Sequence, residues 1–118
     1  MAQFENKYLG DLRTEAIHLK SGNKIITDAP TDNNGKGEAF SPTDLICAAL
    51  SACMMTIMGI KANSEKIDIA GMTSEIAKSM IANPRKISEI NISFIHPNPS
   101  MLNETQREIL KKAAHTCP

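Results

Sequence analysis

Three thiols are the residues of this chain best able to do covalent chemistry. Cys53 lies near the middle of the longest apolar stretch, residues 41–63; Cys47 precedes it by six residues and Cys117 follows it by 64. A thiolate attacks peroxide oxygen or disulfide sulfur, and two cysteines whose Cα atoms come within ~7 Å can close a disulfide. The competing reading makes Cys53 a small apolar core residue, since free cysteine is among the most buried residue types. Cys47 lies ~120° from Cys53 around a helix turning ~100° per residue, so it cannot share that face and reads as packing. A reactive thiol also needs a helix N-terminus, a cation or a donor to lower its pKa. Cys53 is about 16 Å past Pro42 at ~1.5 Å per residue, beyond reach of the dipole at its own helix start. The cation must come from elsewhere. Of the arginines, Arg13 and Arg85 are the candidates, while Arg107 sits on a second helix and reads as solvent-facing. No metal site is expected. His18, His96, His115 and the thiols show no CxxC, HxxxH or HExxH spacing, and His115 beside Cys117 reads as a helix-end histidine.

The elements that must position these residues follow from local pattern. Ser41 is a good N-cap, Pro42 suits the first helical position, and Asp44 falls where its carboxylate can reach back to the cap. The helix that follows carries Leu45, Ile46, Ala49, Leu50, Cys53, Met54, Ile57, Met58 and Ile60 around most of its circumference. A helix apolar on all sides must be surrounded, so burial throughout is expected. Before it, residues 9–20 and 24–28 read as a hairpin turning at Ser21-Gly22-Asn23, and residues 29–40 as a loop dense in turn formers. After it, Ile67 and Ile69 alternate as a short strand, and Ala70-Gly71 offers a bend. Residues 74–83 fit helical spacing better than strand spacing, Pro84 ends that element, and Ile87–Ile95 reads as a strand with Ile90, Ile92 and Phe94 on one face. Asn103 caps a second helix continuing to His115. The sum is an α+β arrangement with helix and sheet segregated.

With 118 residues and no repeat or linker, the chain reads as one domain, small enough that a second subunit would help to cover the apolar helix. Lysine plus arginine and aspartate plus glutamate stand at 13 each, which leaves no electrostatic footprint for nucleic acid and no basic face for a lipid surface. The uncharged run between Asp44 and Lys61 is shorter than the ~20 residues a bilayer requires, and the first residues lack a signal-peptide pattern. A soluble, cytoplasmic protein with reduced thiols is expected. With three phenylalanines, one tyrosine and no tryptophan, the core falls to aliphatic residues and seven methionines, which fill irregular gaps and can line an apolar pocket.

Two segments then stand out together: Ser41-Pro42-Thr43-Asp44-Leu45 running into Ala48-Ala49-Leu50-Ser51-Ala52-Cys53-Met54, and Ala113-Ala114-His115-Thr116-Cys117-Pro118. In these the chain resembles the OsmC/Ohr family of thiol peroxidases. Leu12 to Ala16, Ser21-Gly22, Thr27 to Pro30 and Asn83 to Ile87 are similar to its OsmC-like branch. The resemblance implies a curved antiparallel sheet wrapped around two central helices in an intertwined homodimer, and a strand rather than a helix over 72–82. It implies that Cys53 attacks an organic hydroperoxide and becomes a sulfenic acid, that Cys117 resolves it to a disulfide, and that a dithiol or lipoyl-protein reductant reopens it, with no metal or organic cofactor. The pocket would be apolar, with Met54 and Met58 among its walls. An OsmC-like redox-sensing or binding protein with little turnover is the alternative. The chain departs from the family pattern where a glutamate is expected, holding Thr43 with Asp44 next to it. It departs also where the family arginine would stand, holding Ser21 to Lys24, which leaves Arg13 and Arg85 as the candidate substitutes. The family's usual C-terminal strand is also missing after Pro118.

Overall fold

Gly10, Asp11 and Leu12 take up positive φ values of 90°, 52° and 63°, and this reverses the chain where the sequence suggests one continuous strand over 9–20. Two consecutive left-handed residues match the right-handed twist of the strands they join, so the reversal is a tight hairpin. The result, in a computed structural model describing all residues Met1–Pro118, is three strands instead of two: β1 (Phe4–Gly10), β2 (Arg13–His18) and β3 (Lys24–Asp28). They form one antiparallel sheet in the order β1-β2-β3, with Phe4 opposite His18 and Arg13 opposite Asp28. The loop after β3 contains a 3-10 turn at Thr31–Asn33, and Gly37 N–H donates to Ala29 O at 3.1 Å. Only glycine fits at Gly35, where a Cβ would sit 1.7 Å from Ala29 O.

The chain divides into two compact units, Met1–Ile46 and Cys47–Pro118. The second holds most of α1 (Pro42–Ser64), then β4 (Thr73–Ile81), β5 (Lys86–Ile95) and α2 (Glu104–Ala114). Of residues 74–83, helical by local spacing, 74–81 belong to strand β4 and Ala82 and Asn83 to the turn that follows, so the segment is strand as the family resemblance implies. β4 pairs antiparallel with β5 along its whole length, setting Ile76 opposite Ile92 and Ser74 opposite Phe94. Cross-strand pairing satisfies the backbone and outweighs a weak local helical preference. Residues 67–69 form no strand. Lys66 turns the chain with a φ of 57°, after which Ile67 drops into the core.

That core joins Met58 and Ala62 of α1, four residues apart on one face, to Leu110 and Ala114 of α2, with the same spacing, around Ile67. Phe94, Met72 and Leu102 pack against the cluster. Burial of α1 is narrower than its composition suggests. Cys47, Ser51, Met58 and Ala62 are buried along a single stripe, whereas Ile46, Leu50 and Ile60 remain 58%, 36% and 63% exposed. In one chain, α2 and the sheet cover one side of a helix that is apolar on all sides. Ser51 is buried because its hydroxyl hydrogen-bonds the Ser74 hydroxyl of β4 at 2.7 Å. The helix runs 23 residues, longer than the uncharged run, and is long and apolar enough to cross a bilayer by length and composition only, a test that the core helix of a soluble protein also passes.

Candidate active site

Both helix starts are set by reciprocal capping. Asp44 N–H donates to Ser41 Oγ at 3.1 Å while Ser41 N–H donates to Asp44 Oδ2 at 3.0 Å. On α2, Gln106 N–H donates to Asn103 Oδ1 at 2.8 Å and Asn103 N–H to Gln106 Oε1 at 3.0 Å. Each box satisfies two orphan donors and fixes where its helix begins. Cys53 then falls well inside α1, and Cys117 three residues beyond the last residue of α2. Past Ala114 the chain closes with Thr116 N–H on Ala113 O at 2.9 Å and Cys117 N–H on Ala114 O at 3.4 Å. This turn carries the second thiol back toward α1.

The two cysteines meet. Cys53 and Cys117 are joined as a disulfide with Cα atoms 5.9 Å apart, inside the range a disulfide allows. Cys47 is a free thiol, buried at 2% exposure. Of the other expected site residues, Asp44 serves the α1 cap, and Arg85 lies in the turn between β4 and β5. Arg13 points its guanidinium at Asp28, donating from Nε to Oδ1 at 2.9 Å and from Nη2 to Oδ2 at 2.8 Å, with Glu38 Oε1 at 3.5 Å.

Asp28 was not legible as a site residue. It is 1% exposed, and Glu38 N–H also donates to its Oδ2 at 3.1 Å. The Arg13 fork, acting against the cost of burial, holds its carboxyl below the usual carboxylate range, and Asp28 in turn raises Arg13 above its ordinary value. A turn placed at Ser21 to Asn23 does not by itself pair them: Arg13 and Asp28 sit opposite each other only in the register that sets Ile17 against Lys24, with His18 N–H donating to Asn23 O at 2.9 Å.

An apolar groove of about 540 Å³ lies in the second unit, with Met54 and Met58 among its walls and Met72, Phe94 and Leu110 beside them. Met54 adjoins Cys53 in sequence, and His115, also lining it, stands two residues before Cys117. No group of three metal-ligating side chains comes together anywhere in the molecule. The arrangement therefore offers a two-cysteine redox couple whose near neighbours in sequence, Met54 and His115, line an apolar cavity.

Known proteins bear on this. A family model described as OsmC-like protein matches residues 35–118. The crystal structure of a Psychrobacter arcticus protein, described as an osmotic stress induced and detoxification response protein, is 52% identical. It covers 100% of this chain and 85% of its own at a TM-score of 0.94. An OsmC-like protein of Mycoplasma pneumoniae is 21% identical over 98% of this chain and 81% of its own, with a TM-score of 0.76. An organic hydroperoxide resistance protein of Legionella pneumophila is 22% identical over 100% and 86%, with a TM-score of 0.68. At their low identity these last two speak for the fold alone. No curated protein matches the chain.

Proposed function

This chain belongs to the OsmC-like family, and on that premise we propose that it is a cysteine-based thiol peroxidase acting on organic hydroperoxides. The observation that carries the reading is the pairing of Cys53 with Cys117 across a Cα distance of 5.9 Å. The Cys53 thiolate attacks the terminal peroxide oxygen, the O–O bond breaks, and the alkoxide leaves and takes a proton to become an alcohol. Cys53 is then a sulfenic acid. The Cys117 sulfur attacks the Cys53 sulfur, forming the S–S bond and releasing the oxygen as water. A dithiol, free or as a lipoyl group on a protein, reopens the bond by exchange and leaves as its own cyclic disulfide. Electrons thus pass from the dithiol to the peroxide.

The thiolate requires a cation. Arg13 and Arg85 are the candidates, and Asp44 is the candidate carboxylate of the brace. Arg13 already belongs to a guanidinium–carboxylate pair, with Asp28 as its partner. The exposed Ile46, Leu50 and Ile60 support a homodimer in which a second copy covers the rest of α1. The soluble family fold and the zero net charge support a cytoplasmic protein whose partners are neither nucleic acid nor membrane.

Mass spectrometry of reduced protein treated with cumene hydroperoxide tests the reading. Peroxide should be consumed and Cys53 linked to Cys117, and Cys53→Ser should lose both; continued turnover by that variant would end the proposal. A second reading, a redox-sensing or binding protein with little turnover, is favoured by the engagement of the Arg13 fork with Asp28. It predicts that consumption stops after one equivalent even with excess dithiothreitol or a lipoyl-protein reductant.

A further inference from the structure

Three of the seven methionines face one cavity. Met54 and Met58 stand one turn apart on α1, Met72 precedes β4, and all three line the apolar groove. They also share the core: Met58 is buried in it, and Met54 and Met72 pack against it. Packing alone does not call for sulfur at these positions, since leucine fills nearly the same volume and exchanges with methionine at little cost. What the thioether adds is chemistry: peroxide oxidises its sulfur to a polar, chiral sulfoxide. Met54 follows Cys53 directly, so the residue next to the redox cysteine carries a second oxidisable sulfur that lines the cavity. Cys53 is bonded to Cys117 and in that state has no thiolate to offer a peroxide, whereas the thioethers are chemically unchanged by the disulfide. Met1 and Met101 are exposed and lie outside the groove, which makes them references for oxidation from bulk water.

We propose that Met54 and Met72 form a second oxidation site, at which a hydroperoxide that arrives while Cys53 is held in the disulfide converts a lining methionine to its sulfoxide. The thioether sulfur attacks the terminal peroxide oxygen with a lone pair, the O–O bond breaks, and the oxygen stays on sulfur. The hydroperoxide's own proton passes to the alkoxide, which departs as the alcohol. Methionine sulfur loses two electrons and the peroxide gains them. The sulfoxide sets a polar group against the core of Met58, Leu110 and Ala114, so oxidation destabilises the fold. The site thus records peroxide that arrives faster than the disulfide is reduced. That role rests on the proposed peroxidase function; the thioether chemistry needs only the hydroperoxide.

To test this, the intact protein in its disulfide form, without reductant, is treated with cumene hydroperoxide or with hydrogen peroxide, and oxidation of each methionine is mapped by mass spectrometry. Cumene hydroperoxide should oxidise Met54 and Met72 about tenfold faster than Met101, because its ring gains by leaving water for an apolar wall. Hydrogen peroxide has no apolar surface to bury and should oxidise Met1 and Met101 first. After cumene hydroperoxide the urea midpoint of the native protein should fall, whereas a Met54→Leu/Met72→Leu protein, which conserves volume, should keep its midpoint. Met101 oxidised first by both oxidants, no oxygen on either Met54 or Met72, or an equal fall in midpoint for the double variant would overturn the proposal. Sulfoxide at Met54 and Met72 in a protein whose reduced form shows no peroxide turnover would uphold the oxidation site and refute the peroxidase function; turnover without that sulfoxide would do the reverse.

Discussion

Reduction of the Cys53–Cys117 bond changes one covalent link and no side-chain identity, so its effect on stability can be worked from the geometry. The bond closes a loop between residues 64 apart, all of it inside the Cys47–Pro118 unit. Constraining such a loop in the unfolded chain removes about 14 cal/mol/K of entropy, or about 4 kcal/mol at 25 °C. With a urea slope of roughly 1–3 kcal/mol per molar, the unfolding midpoint of the oxidised protein should lie on the order of 2 M above that of the reduced protein. The chain has no tryptophan and a single tyrosine, so helix ellipticity is the suitable signal. Both forms are compared at one protein concentration, which keeps any association equal. Peptide mapping of the oxidised form should find Cys47 free, as its burial requires. Equal midpoints, or a mapped disulfide containing Cys47, would refute the assignment of this bond to the folded chain.

Two further outcomes follow from polar contacts. Asp28 has a lowered pKa through Arg13, so the folded state binds its proton less readily than the unfolded state does. The stability this contributes is fully present above the ordinary carboxylate value of about 4 and is lost as pH falls through the lowered folded value. Asp28→Asn should therefore destabilise at neutral pH, with the gap to the native protein closing under acid; denaturant curves at several pH values check this, and a gap that widens in acid would contradict it. Ser74→Ala leaves the buried Ser51 hydroxyl without its partner and should cost about 1–3 kcal/mol, whereas adding Ser51→Ala should cost little more. A double-mutant cycle reads the coupling, and strict additivity would show that the bond contributes nothing.

The sequence by itself determined the locally specified features. Ser41, Pro42 and Asp44 marked one helix start and Asn103 the other, because a cap is a contact among residues three or four apart. Two cysteines in family contexts located the candidate redox pair, and the structure brings them to 5.9 Å between Cα atoms. What depended on distant partners was not legible locally. Residues 74–81 became a strand because β5 was there to pair with them, and Ile67 left strand geometry for a place in the core with α1 and α2. The Asp28–Arg13 clasp depended on a strand register. The composition of α1 said that every side of it should be covered; tertiary structure decided which stripe one chain buries, Cys47, Ser51, Met58 and Ala62, and left Ile46, Leu50 and Ile60 facing outward. The physical reason is that a cap or a turn is fixed by neighbours along the chain, whereas burial, register and the facing of a helix are fixed by surfaces that meet only after the chain has folded.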